Sequence, residues 1–275
     1  MYVLFDIGGT TTRVAFSRDG LTFLKEPILF PTEKSFSHQL KKIQTLVHEH
    51  AGAKIAGIAG GVPGVLNAGR SKLTQAPNLP VWVGENIKEV LQDAFNAPVF
   101  LENDAALAGL GEATHGAGKK EEIVAYITVS TGVGGARIVR GLIDDKALAF
   151  EPGHQIISLP DTTLESLISG TSLERKHHKH PSDIHDTTIW NTVEETLAIG
   201  LYNTTLFWSP HVYILGGSMV LKKPGINASE VEKKLHAHLK NYSRKPYIAV
   251  AELGDRAGLY GALAYIRTHI RHIKG

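Results

Sequence analysis

The 275-residue chain contains no cysteine, so it can build neither a disulfide nor a thiolate zinc site. Long apolar runs are missing too: no stretch reaches the ~18 residues that suggest a membrane span. The chain opens on a strand pattern rather than a basic segment and an apolar core, so no signal peptide is expected and the cytoplasm is the default location. An excess of one charge is also lacking. With Lys+Arg 29 against Asp+Glu 27, and no basic stripe interleaved with aromatics, nothing points to nucleic acid as a partner. Two nucleotide motifs are absent: no GxxxxGK[ST] and no GxGxxG opening a helix. What is present, 43% hydrophobic and 20% charged residues, is an ordinary globular composition, long enough for two modest domains.

The first informative stretch is VLFDIGGTTTRVAF, Val3 to Phe16. Apolar residues on either side of Gly8-Gly9 predict a β-hairpin. The same turn suits phosphate, because glycines let backbone N–H groups approach closely and threonine hydroxyls add donors. Asp6 would repel a phosphate unless a cation intervened, so it is expected to act through Mg²⁺ or its bound water. A nucleoside triphosphate is the ligand this combination suggests.

Downstream, Phe36, Leu40, Ile43 and Val47 recur at helical spacing and predict a helix from about Ser35 to His50. A buried strand is expected over Ala53 to Ala59, followed by turn chemistry in GGVPGVLNAG, a helix over Ile87 to Phe95 and a short strand over Pro98 to Leu101. Strands and helices alternate, which is the pattern of an α/β protein. Ile123 to Leu142 then repeats the opening as strand, Thr/Gly turn (Ser130 to Gly135) and strand, about half a chain away. This predicts duplicated domains, each with a phosphate-cradling hairpin. Later come a helix over Ile189 to Phe207, the strand HVYILGG and a final helix over Ala257 to His269. The LGG could be a nucleotide loop at a strand end or a plain turn.

The ordered segments FDIGGT, PNLPVW, ENDAALA, STGVGG, EPGH, LESLISG, LGGS and LGDRAGLYGA resemble the ROK family (repressor, open reading frame, kinase) of sugar kinases, nearly end to end. The resemblance implies an α/β fold of two actin-like (ribonuclease H-like) domains around a nucleotide and sugar cleft that closes on its ligands. The smaller is expected over residues 1–115 plus the helix 257–275, and the larger over 116–256. It implies ATP held by Asp6, Gly8, Gly9, Thr10, Thr131, Gly132, Gly134, Gly216 and Gly217, with Mg²⁺ on the phosphates near Asp6. Asp104 is then the general base. Asn78, Asn103, Glu151, His154 and Glu165 are the sugar partners, and carboxylates and amides are suited to hydroxyls that both donate and accept. Family repressors carry a winged helix before the hairpin; this chain begins at the hairpin, so a repressor is not expected. Members are commonly dimers or tetramers, which makes a homodimer an assembly the resemblance allows.

Plainer readings stand beside these. Asn103-Asp104 ahead of AALAGLGEA is also a helix N-cap pattern. Glu151 and Glu165 taken singly read as solvated acids, and His154 as a loop histidine. His177, His178, His180 and His185 in KHHKHPSDIH could bind a metal but more simply form a basic loop. The chain departs from the family in one place: QIISLPDTTLES replaces the usual Cys-rich zinc segment, so structural zinc is not expected. The sugar loop is instead expected to be held by packing of Ile156, Ile157 and Leu159. The expected activity is ATP-dependent phosphorylation of a hexose, glucose first, with N-acetylmannosamine, N-acetylglucosamine or fructose as alternatives. A catalytically idle sugar sensor of the same fold is the rival.

Overall fold

Strand β1 (Tyr2–Ile7) turns through Gly8 to Thr10 into antiparallel β2 (Thr11–Ser17), and β3 (Ile28–Pro31) extends the meander. This computed structural model describes residues 1–52, 54–144 and 149–274. Helix α1 (Phe36–Ala51) follows, capped by Ser35, whose hydroxyl accepts the His38 N–H, and closed by Gly52 in a left-handed conformation. Then come β4 (Gly57–Val62), the hairpin β5 (Val65–Leu66) and β6 (Leu73–Gln75), α2 (Ile87–Phe95), β7 (Val99–Asn103) and α3 (Asp104–Thr114). The first sheet runs β3-β2-β1-β4-β7, with β1, β4 and β7 parallel.

The second half repeats the order. Antiparallel β8 (Ile123–Val129), β9 (Val133–Val139) and β10 (Leu142–Ile143) are followed by the short hairpin β11 (Ile156–Ser158) and β12 (Thr162–Thr163). Helices α4 (Leu164–Ile168), α5 (Gly170–His177) and α6 (Thr187–Trp208) lead to β13 (Val212–Gly216), α7 (Ser218–Leu221), α8 (Ala228–His238) and β14 (Tyr247–Val250). The sheet is β10-β9-β8-β13-β14, again a meander joined to parallel strands. Helix α9 (Ala257–Lys274) ends the chain.

Two compact units result, the first drawn from Met1–Thr114 and Asp255–Gly275, the second from His115–Asp145 and Phe150–Gly254. Each has its own core. In the first, alternate residues of β1 (Val3, Phe5, Ile7) pack with Leu40, Ile43 and Val47 of α1, so the intervening Asp6 faces the other side, toward α9. In the second, Ile127 and Val129 of β8 pack with Val193, Leu197 and Leu201 of α6. Among the described residues no helix is long and apolar enough to cross a membrane.

Two strands run differently from expectation. The strand expected over Ala53 to Ala59 begins at Gly57, in register with Tyr2, and continues through the glycines read as turn to Val62; Ala53 lies outside the described residues. Gly60 and Gly61 are strand glycines because a Cβ at Gly60 would strike the Phe5 ring, and one at Gly61 would lie 3.1 Å from the Asp104 Cα. The strand expected to stop at Leu101 runs on through Glu102 and Asn103.

Candidate active site

In the first unit, parallel pairing sets Asp6, Gly61 and Glu102 side by side across β1, β4 and β7. The C-terminal ends of parallel strands are where open α/β sheets present their ligand-binding groups. Asp6 and Asp104 meet there around Gly61, whose absent side chain leaves room for both: a Cβ would lie 3.2 Å from Asp6 Oδ1. Asn103, not Asp104, caps α3. Its Oδ1 accepts the Ala106 N–H at 3.0 Å, while its Nδ2 donates to the Gly64 carbonyl at 3.0 Å. Asp104 is the first residue of the helix, its Oδ1 fixed by the Ala105 N–H at 2.9 Å.

Asp6 is only 14% exposed, and its nearest cation, Arg13, stands 3.9 Å away; Arg13 also faces Asp255 at 3.3 Å. Burial pushes the Asp6 carboxyl up to about 6, against the pull of Arg13 and with a smaller push from Asp255. Helix α9 begins against this carboxylate, because a Cβ at Gly258 would lie 2.5 Å from Asp6 Cγ. The first glycine turn closes through Gly8 N–H to the Thr11 carbonyl at 3.0 Å and is braced by Thr32, whose hydroxyl donates to the Gly8 carbonyl at 2.8 Å. Thr10 is exposed at its tip. Gly9 lets Asn78 lie against the turn, with the Asn78 Nδ2 3.2 Å from where a Cβ would be.

In the second unit, Glu165 Oε2 accepts the Val133 N–H at 2.7 Å, and a Cβ on Gly132 would lie at the same distance from that oxygen. The carboxylate read as a sugar partner is therefore also clamped to the second glycine turn, where Thr131 is exposed and Gly132 and Gly134 are half-buried. Glu151 feels both His154 and Glu165; burial, chiefly, raises its carboxyl above the ordinary value, Glu165 adds to this and His154 opposes it. His154 is exposed on a short 3₁₀ turn. Gly216 ends β13 and Gly217 follows it beside the same hairpin: Gly217 adopts φ 87°, and Ser218 Oγ lies 3.1 Å from Ser130 Oγ. The histidine-rich segment forms the end of α5 and the turn beyond it, where His180 Nδ1 pairs with the Ser182 hydroxyl at 2.7 Å.

The loop replacing the zinc segment is held differently from expectation. Ile156 and Leu159 are 56% and 85% exposed, and only Ile157 packs on the core. Gln155 does the bracing. Its Nε2 donates to the Pro152 carbonyl at 2.8 Å, its Oε1 accepts from Asn203 at 3.2 Å, and its backbone carbonyl accepts the Leu164 N–H at 3.0 Å. Pro152 and Gly153 seat on β9, since a Cβ at Gly153 would lie 2.9 Å from the Val133 Cβ. Glu102, Asp255 and Gly258 sit in the quoted segments and Arg13 in the first hairpin, but no local pattern announces their partners, and Gly61 and Gln155 likewise meet Asp104 and Asn203 only through the fold.

The fold and the comparisons define the class, an ATP-dependent sugar kinase of the actin-like α/β fold. The chain belongs to the ROK family, whose model matches residues 2–269. It is 28% identical to a solved ROK hexokinase of Thermus thermophilus, with 98% of this chain and 99% of that one covered and a TM-score of 0.84. A glucokinase of Thermotoga maritima is 24% identical over 96% of each chain. A ROK glucokinase of Streptomyces griseus, solved with glucose and AMPPNP, shares the fold at a TM-score of 0.76 and 22% identity, with 97% and 99% covered.

Proposed function

We propose that the protein transfers the γ-phosphoryl group of ATP to a hydroxyl of a hexose, with glucose the favoured acceptor. N-acetylmannosamine, N-acetylglucosamine and fructose follow it, because one hydroxyl or acetamido contact sets the preference among them. The observation that carries the reading is Asp104. It heads α3 at the end of a parallel strand, relieved of capping by Asn103 and fixed by its own N1 position. A base needs this kind of rigid support.

In this reading Asp104 takes the proton of the acceptor hydroxyl as its oxygen bonds to the γ-phosphorus and the bond to the β-phosphate oxygen breaks, releasing ADP. Asn78, Asn103, Glu151, His154 and Glu165 orient the sugar. The glycine turns at Gly8 to Thr10 and at Thr131, Gly132 and Gly134 receive phosphate oxygens, with Gly216 and Gly217 at the nucleotide. Asp6 fits a cation carried on the phosphates, being a buried carboxylate whose positive neighbour is 3.9 Å distant. Among the described residues no group of three or more acids or histidines could cage a metal, which suits Mg²⁺ held mainly by phosphate. When bound, Mg²⁺ supplies neutralisation of charge on the phosphoryl oxygens.

The test is ADP release from Mg-ATP across hexoses and N-acetylhexosamines, beside Asp104→Asn. Turnover on one sugar should vanish in the variant while sugar binding stays within about tenfold, since the amide keeps the shape and loses the base. Survival of more than a few per cent of the rate would remove Asp104 from its role. Sugar binding with no turnover by the unaltered protein would favour a sensor.

A further inference from the structure

Glu102 is the charged residue closest in sequence to the proposed base, and it is only 3% exposed. Its two oxygens do different things. Oε1 accepts the backbone N–H of Asn103, the α3 cap, at 2.9 Å, and Oε2 pairs with Arg70 Nη1 at 3.1 Å. The same Arg70 nitrogen donates to the Tyr265 hydroxyl at 2.5 Å. A line of contacts therefore runs from α9 through the β5–β6 hairpin to the peptide that starts α3.

The hairpin is built to present Arg70. Asn67 Oδ1 accepts the Ser71 and Lys72 N–H groups at 2.8 and 3.2 Å, and the Arg70 N–H donates to the Asn67 carbonyl at 2.8 Å. This turn holds Arg70 at φ 47°, a left-handed conformation that favours glycine or asparagine. A long cationic side chain at such a position is offset by what its guanidinium binds. The hairpin is tied to the same segment a second time, through Asn103 Nδ2 and the Gly64 carbonyl.

We infer that Arg70 is a positioning residue for Asp104, acting through Glu102 and anchored by Tyr265. The inference rests on the kinase reading, which gives Asp104 a task that depends on sub-ångström placement. Without Arg70 the Glu102 carboxylate would be buried with its guanidinium partner gone, a costly state relieved by taking up a proton or turning toward water. Either way its grip on the Asn103 N–H weakens, and the α3 cap and the residue after it shift. Small misplacements of a reacting group cost rate far more than binding. Arg70 should therefore act on kcat and leave the hexose KM nearly alone.

The experiment is steady-state kinetics on the hexose that the unaltered protein turns over, for Arg70→Met, Arg70→Lys and Tyr265→Phe, with melting curves for each. Arg70→Met should lower kcat about tenfold or more with KM within about twofold, and Arg70→Lys, which keeps the charge, should recover most of the loss. Tyr265→Phe should fall between them. A folded Arg70→Met protein with unchanged kcat, or one in which kcat and the hexose KM change together and Arg70→Lys recovers nothing, overturns the inference. If Arg70→Met does not fold, Tyr265→Phe, which removes one hydroxyl, carries the same test. Failure of the kinase reading shows differently: the unaltered protein is then silent on every sugar, and the task assigned to Arg70 falls with it.

Discussion

Glu151 carries its carboxyl above the ordinary glutamate value because burial disfavours its charge, with Glu165 adding to the shift and His154 opposing it. A raised folded value means that ionisation works against the fold. Stability from this group is full below the unfolded value of 4.5 and is lost as pH rises through the window above it. If Glu151 holds the sugar as proposed, the hexose reverses that preference, since a carboxylate accepts hydroxyl hydrogen bonds more strongly than a protonated carboxyl. Hexose affinity should therefore weaken as pH falls through the same window. Glu151→Gln, which cannot titrate, should bind about tenfold more weakly at neutral pH and lose that slope. Calorimetric titration of the hexose at about pH 4.5 to about pH 7.5 checks this; an unchanged slope in the variant would place the titrating group elsewhere.

At the scale of elements, the glycines decide what was legible. Helix α1 could be read from Phe36, Leu40, Ile43 and Val47 with Ser35 ahead of them, because an amphipathic helix writes its period and cap into neighbouring residues. Both glycine hairpins were readable for the same reason. Strand β4 was not, since Gly60 and Gly61 look like turn residues and are glycine only because Phe5 and Asp104 press on them from other elements. The clamp of Glu165 on Val133, the contact of Gln155 with Asn203 and the reach of Arg70 are likewise long-range pairings with no local signature. Gly258 is the sharpest case. It sits in a quoted motif, yet its function as the surface of α9 that touches Asp6 appears only in three dimensions. Gly258→Ala should force either α9 or the Asp6 carboxylate to move, costing about 1–3 kcal/mol by overpacking. Mg-ATP turnover should fall by at least about tenfold as Asp6 is displaced. Melting curves and kinetics measure the two effects separately, and a variant with normal stability and rate would show that Asp6 has room to spare.

For the whole molecule, the repeated strand order poses a question of cooperativity. The first core gathers residues of β1, β4, β7, α1 and α2, and the second gathers residues of β8, β13, α4 and α6, so each sheet is covered by helices of its own unit. A substitution in one core removes contacts from that unit alone. Leu91 of α2 and Leu197 of α6 are both fully buried, and truncation of either to alanine should cost about 2–5 kcal/mol through lost burial and the cavity left behind. If each unit unfolds on its own, Leu91→Ala lowers one calorimetric transition and Leu197→Ala the other, and the untouched transition stays where it was. Each cost should appear as a drop of several degrees, because about 1 kcal/mol shifts a unit of this size by roughly 2–8 °C. A single transition lowered equally by both variants would mean that the two cores melt as one body, and that the repeat read in the sequence marks ancestry of the sheets without independence of the units.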